Sequence, residues 1–346
     1  RDCVQEGGRP LSIFVFASVR AISQYTVTEI LEMGIDGLWI GYEGTRSGFA
    51  KQSGRPVDEL FRELREHGIG ILASMIVGFP YQTPEVIEEE LGGLLALRPN
   101  LTQFLIYGPS PGTPFFDDVM KNGLLHKDLD DDRETYYRKC TGFAAMVSHP
   151  TMTGDQIETA QRHCFAGDFD RLGPSIFRSL DTWLLGYLKL RNSESPYLRK
   201  KAARFAEELR KAYPVFFAGR VLGPTPVVRR WIANLEDKVH ATLGSPTWTE
   251  RVQSVAGLAA AGWTGLTLKL GLFQHPRLIR HTFRTPDGLR PAGAWRRLMR
   301  KATEGHQVEV ELRPESTVWV RVRGNLALAE AEALAGRLRD ALRRTE

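Results

Sequence analysis

Four short apolar runs alternating with three amphipathic stretches organise residues 11 to 116, and no other feature limits the fold of this chain so strongly. The runs are SIFVFASV (12 to 19), GLWIGY (37 to 42), ILASMIVG (71 to 78) and TQFLIYG (102 to 108). Between them lie TVTEILEMG, PVDELFRELREHG and TPEVIEEELGGLLAL, with apolar residues at helical spacing. Thr26, Asp58 and Thr83 stand near the expected helix starts, and Gly34 and Gly68 just past the ends, as capping requires. Strand and helix in this order predict parallel strands joined by crossovers, an α/β fold. The near-continuous hydrophobicity of the runs predicts that both sheet faces are covered, one by helices and the other by helices or a barrel interior. A partial (β/α) barrel and an open doubly wound sheet both satisfy the pattern. In either, ligands belong at the carboxyl ends of the strands, here SVRA, GYEG, VGFP and YGPSPGTP.

Composition narrows the class. The 346 residues are 42% hydrophobic and 25% charged, the balance of a globular protein. A net charge of +5, spread among acids along the chain, permits an anionic partner but does not indicate nucleic acid. Cys3, Cys140 and Cys164 are too few and too scattered for a disulfide framework, so a reducing compartment, by default the cytoplasm, is expected. No apolar run of about twenty residues predicts a membrane span. Arg1 in place of methionine leads to the expectation of further sequence upstream.

The order of motifs is more specific than any one of them. A strand ending in arginine, a strand ending IGYEG, the lysine-bearing FAKQSGRPVDELFRELREHGI, the strand MIVGFPYQTPE and a strand leading to PSPGTPFF follow one another. This succession resembles the carboxyl-terminal part of a radical S-adenosylmethionine core, most of all in members that carry an upstream cobalamin-binding domain. It covers about a third of the chain. The resemblance implies the later strands of a six-unit partial barrel, with S-adenosylmethionine cleaved at a four-iron four-sulfur cluster to release a 5′-deoxyadenosyl radical, or cobalamin-mediated methyl transfer. In the family three cysteines spaced C-x-x-x-C-x-x-C hold the cluster. That motif is not in this sequence, so the iron–sulfur cluster and cobalamin are expected from an upstream region of the same polypeptide or a separate cluster-bearing chain. No residue of this chain is assigned as a metal ligand.

Within that resemblance the cofactor-binding candidates are Arg20, Gly41, Glu43, Lys51, Ile76, Gly78, Pro80, Tyr107 and Pro109. Glu43 would accept from an ammonium or ribose hydroxyl, although Gly44 stands where the family has serine. Arg20 would pair with a carboxylate through its planar fork; Lys51 is a lesser contact. Ile76 would lie against the adenine, Gly78 would admit close approach, and Pro80 would end the strand. Tyr107 and Pro109 belong to the adenine-side loop. Each has a plain structural reading too: a surface ion pair of Glu43 with Arg46, a salt bridge of Arg20, a solvated Lys51, and tight turns at Gly78 and Pro109. The substrate is an unspecified small molecule. The alternative function is a catalytically silent half-barrel that binds protein or nucleotide.

The rest of the chain divides by pattern. Residues 1 to 126 form the barrel-like part, 127 to 290 a mostly helical extension, and 291 to 346 a small α+β unit. Helical spacing runs through DRETYYRKCTGFAAMVSH, TGDQIETAQRHCFAGDFDRLG, PSIFRSLDTWLLGYLKLRN and PYLRKKAARFAEELRKAY. LGPSIFR and the pair His149–Pro150 also resemble cobalamin-linked members. DLDDD lacks the glycine and closing glutamate of a calcium loop, and adjacent His163 and Cys164 diverge on a helix. QVEVELRP and TVWVRVRG alternate as half-buried strands before the helix LALAEAEALAGRLRDALRR.

Overall fold

The computed structural model describes residues 10–44, 46, 53–130, 133–272, 281–284, 307–313 and 317–323. The chain divides into two compact units, Arg1–Ala260 and Ala261–Glu346.

The first unit opens with β1 (Ile13–Ala17), α1 (Val19–Ile22), α2 (Val27–Glu32), β2 (Ile35–Gly41), α3 (Val57–Glu66), β3 (Gly70–Val77), α4 (Pro84–Ala96) and β4 (Leu101–Ile106). The strands stand in sequence order, β1-β2-β3-β4, all parallel. Capping chemistry sets the helix ends. Thr26 forms a capping box with Glu29. Thr83 accepts from the Val86 N–H, with Pro84 opening α4. Asp58 lies in the first turn of α3, which starts after Pro56 without a side-chain cap. Gly34 and Gly68 take φ of 87° and 83°, the left-handed conformation that stops a helix cheaply only at glycine.

The two faces of this sheet differ. Register places Leu38, Ile40, Ala73, Met75, Val77 and Phe104 on one side, all buried against the helices. The other side carries Phe14, Phe16, Trp39, Leu72, Ile76 and Leu105, none of them fully buried. Phe16 is 74% exposed and Phe14 53%. The rings partly cover one another: Phe16 stacks on Trp39 at 4.3 Å, and Phe14 lies so close over Gly37 that a Cβ there would come within 2.4 Å of its ring. The expectation of two covered faces is thus met on one only. An apolar strand run does not say what lies above it.

Among the described residues nine further helices follow: α5 (Pro114–Lys121), α6 (Lys127–Asp130), α7 (Arg133–Lys139), α8 (Gly154–Leu172), α9 (Ser175–Leu190), α10 (Pro196–Lys211), α11 (Val215–Leu222), α12 (Pro226–Leu243) and α13 (Trp248–Lys269). The helix expected through residue 149 ends at Lys139, because Gly142 takes φ of 77° and Val147 turns back to bridge Leu125. The Ile106 N–H donates to the Gly142 carbonyl, and Gln161 of α8 donates to both the Phe104 and Gly142 carbonyls, which closes the β4 edge.

Helices α9 and α10 lie under the amino ends of the strands. Asn100, at the foot of β4, accepts from the Ile71 N–H and donates to the Arg178 carbonyl and the Thr182 hydroxyl. The buried Lys201 ammonium reaches Asp36 at 2.9 Å and the Leu11 carbonyl at 2.6 Å. Gly186 of α9 meets Gly68 so closely that a Cβ would sit 2.5 Å from the Gly68 Cα.

In the second unit, β5 (His281–Arg284), β6 (Gln307–Arg313) and β7 (Thr317–Arg323) form an antiparallel sheet in the order β5-β7-β6. The strands expected at QVEVELRP and TVWVRVRG are therefore present. The expected closing helix lies outside the described residues. No helix among the described residues is long and apolar enough to cross a membrane.

Candidate ligand site at the carboxyl ends of the strands

Where β3 ends, the chain must turn sharply into α4, and its released backbone groups need partners. Gly78 supplies the turn with φ of 94°. Gln82 supplies the partners: its Oε1 accepts from the Gly78 N–H at 2.6 Å and the Phe79 N–H at 2.9 Å. Its Nε2 donates to the Ile76 carbonyl at 3.1 Å and to Glu90 at 2.6 Å. The amide is thus fully satisfied, as a side chain 1% exposed has to be. From the far side His149 Nε2 donates to the Phe79 carbonyl at 2.8 Å, while Nδ1 accepts from the Thr151 and Met152 N–H groups. Two donors facing Nδ1 fix the neutral Nε2–H tautomer.

Gly78, Pro80, Tyr107, Phe115, His149 and Ile157 help line a cavity of about 260 Å³ beyond the ends of β3 and β4. A Cβ on Gly78 would come within 3.1 Å of Ile157, so glycine keeps this wall open. Tyr107 stacks on Phe115 at 3.8 Å and meets Phe79 at 4.6 Å. Since Gln82 already holds the Gly78 and Phe79 N–H groups, a ligand here meets the apolar and aromatic surface of the turn.

A second cluster sits at the end of β2. Glu43 is 7% exposed and has φ of 55°, unusual for a residue with a side chain. Its carboxylate folds back over Gly41, where a Cβ would stand 2.6 Å from Oε1. Strand alternation points that position of Gly41 to the open face, the side that Ile76 also occupies. Beneath the adjoining loop, Glu90 accepts from Gln82 and from the Tyr81 hydroxyl. Burial pushes the Glu90 carboxyl up, against the pull of these two bonds. Burial and then Glu90 push the Tyr81 and Tyr42 hydroxyls up as well.

The structure therefore groups Gly41, Glu43 and Ile76 on one face, and Gly78, Pro80 and Tyr107 around one cavity. Arg20 stands on α1, exposed, after β1. Pro109 is buried, its carbonyl accepting from the Tyr136 hydroxyl. Lys51 lies outside the described residues. Arg46 pairs with Glu89 at 2.5 Å. Cys164 is fully buried and burial pushes its thiol up to about 12, while His163 is exposed and paired with Glu88. Among the described residues no three His, Cys, Asp or Glu side chains converge as a metal site. Sequence reasoning missed Gln82 and Glu90 and gave His149 no role. Their partners lie up to 70 positions away, and only the lone polar residue after a Gly-Phe-Pro strand end hints at them. Comparison of the chain with protein-family models, and with curated proteins, gives no match to either.

Proposed function

We propose that this chain is the carboxyl-terminal β/α part of a cobalamin-associated radical S-adenosylmethionine enzyme, and that it positions S-adenosylmethionine and substrate. The observation that carries the reading is the pairing of a buried Glu43 carboxylate, folded over a bare Gly41, with an apolar Ile76 on the open face at the strand ends. A carboxylate there fits an ammonium or ribose hydroxyl, the missing Cβ of Gly41 makes room for that carboxylate, and Ile76 gives the base an apolar wall. Glu43 accepts the cofactor's polar hydrogens, Arg20 meets its carboxylate, and the Gly78–Pro80 turn with Tyr107 and Pro109 bounds it. Bound to a reduced cluster, S-adenosylmethionine supplies radical or methyl-transfer chemistry. The cluster and cobalamin come from another segment of the polypeptide or a separate chain, which also covers the open face. The parallel order of the strands and the exposed Phe14 and Phe16 support a partial barrel in this reading.

Thermal melting with and without S-adenosylmethionine tests it. A ligand at a hundredfold excess over Kd stabilises the native state by about 2.7 kcal/mol. The midpoint should rise with the ligand, and Glu43→Gln should abolish the rise while melting normally without it. An unchanged midpoint at millimolar ligand, or a rise that survives Glu43→Gln, would overturn the assignment.

A further inference from the structure

At the opposite end of the sheet, four arginines line one cavity of about 220 Å³: Arg65 from α3, Arg98 after α4, Arg171 from α8 and Arg178 from α9, with Asp181 and Trp231. Three of them close helix carboxyl ends, where a cation offsets the macrodipole. The macrodipole accounts for these three but not for their convergence with Arg178, which stands near the amino end of α9.

Their pairing differs. Arg178 is engaged in a bidentate pair with Asp168, both bonds 2.8 Å, and with the Pro99 carbonyl. Arg171 is held by Glu88. Arg65 and Arg98 have neither an ion pair nor a side-chain hydrogen bond among the described residues, and the Arg65 Nε is buried without a partner. Burial, then Arg98, pushes the Arg65 guanidinium down, with the Asp181 and Glu66 carboxylates opposing, so a half-buried cation here faces a like charge. Arg98 also occupies the left-handed region, φ 54°, at a position after a helix where glycine is usual. Across the cavity Val227 and Val228 present the first turn of the long helix α12, so the positive end of its dipole adds to the same field. Trp231 on that helix offers a flat apolar wall.

We propose that this cavity binds a small phosphorylated ligand, its phosphoryl oxygens between Arg65 and Arg98 and its organic part against Trp231. Planar guanidinium forks match phosphoryl oxygens two at a time, and the volume suits a sugar phosphate or a diphosphate rather than a larger nucleotide. The site stands apart from the strand carboxyl ends and does not rest on the S-adenosylmethionine reading.

Isothermal titration of the chain with inorganic phosphate, pyrophosphate and ribose 5-phosphate tests it. The wild type should bind at least one of the three at submillimolar concentration. Arg98→Gln and Arg65→Gln should each weaken that binding about tenfold, as expected when one charge-assisted contact is lost. Arg162→Gln, on an exposed face of α8, should leave it unchanged. Arg98 is exposed, so its variant keeps the test open if Arg65→Gln fails to fold. If both fail, amide protection by the bound probe in wild-type residues 96 to 100 and 226 to 231 decides. No binding of any probe at millimolar concentration, equal affinity in Arg98→Gln, a matching loss in Arg162→Gln, or protection elsewhere would overturn the proposal.

Discussion

The two ends of the parallel sheet are built for different purposes. At the amino ends, α9 and α10 are locked to the strands by buried charges and amides, with the Lys201 ammonium on Asp36 and two carbonyls, and by a glycine-to-glycine approach that admits no side chain. At the carboxyl ends the polar groups of the β3 turn are satisfied within short loops, through Gln82 and His149, while aromatic and apolar surfaces face a cavity and an open face, with the Glu43 carboxylate folded over Gly41. Interlocking at one end frees the other from holding the layers together, and this is the arrangement in which loops carry function on a rigid scaffold.

That contrast can be broken by substitution. The largest effect is expected at Lys201. Lys201→Met should cost about 3 kcal/mol, because it leaves Asp36 and the Leu11 and Gly34 carbonyls without their shared cation. Urea unfolding measures it, and ligand binding at the far end should not change. Gln82→Ala comes next, at about 2 kcal/mol, since the Gly78 and Phe79 N–H groups lose their acceptor; unlike Lys201→Met, it should also disturb binding at the carboxyl end.

Glycines sharpen the comparison. Gly186→Ala should cost about 2 kcal/mol, its Cβ being driven into the Gly68 backbone. Gly92→Ala, on α4 with no atom within 4 Å of the added Cβ, should stabilise by about 0.5 to 1 kcal/mol through helix propensity alone. Equal effects at the two positions would contradict the tight junction at the amino ends.

The smallest effect is a pH dependence. Hydrogen bonds from Arg171 and then His163 hold the Glu88 carboxyl below its ordinary value of 4.5. Its folded form therefore favours the charged state, and that stabilisation is present above 4.5 and lost as pH falls through the lowered value. The pair is solvent-screened, so the loss should be under about 1 kcal/mol. Acid titration of stability in wild type and Glu88→Gln measures it as the difference between the two curves.

The strands and crossover helices were legible because each rests on local rules: Thr26 and Thr83 as caps, Gly34 and Gly68 as stops, and apolar periodicity between them. The open face was not legible, because Phe14 and Phe16 read like buried strand residues until their neighbours are known. The helix expected across 140 to 149 failed where Gly142 and the Leu125–Val147 bridge overrode helical spacing. Glu43, Ile76 and Gly78 could be named from the strand ends, but their division between an open face and a separate cavity follows from register and from the turn at Gly78. The arginine cavity was beyond reach, since its residues come from five separate elements and nothing in one of them signals the others.

Amide hydrogen exchange with and without S-adenosylmethionine tests the central claim most directly, because it reports where on the sheet the ligand sits. Protection should appear at residues 41 to 44 and 76 to 80, at the carboxyl ends of β2 and β3, with residues 198 to 204 of α10 unchanged. Protection confined to the amino ends, or none at saturating ligand, would contradict it.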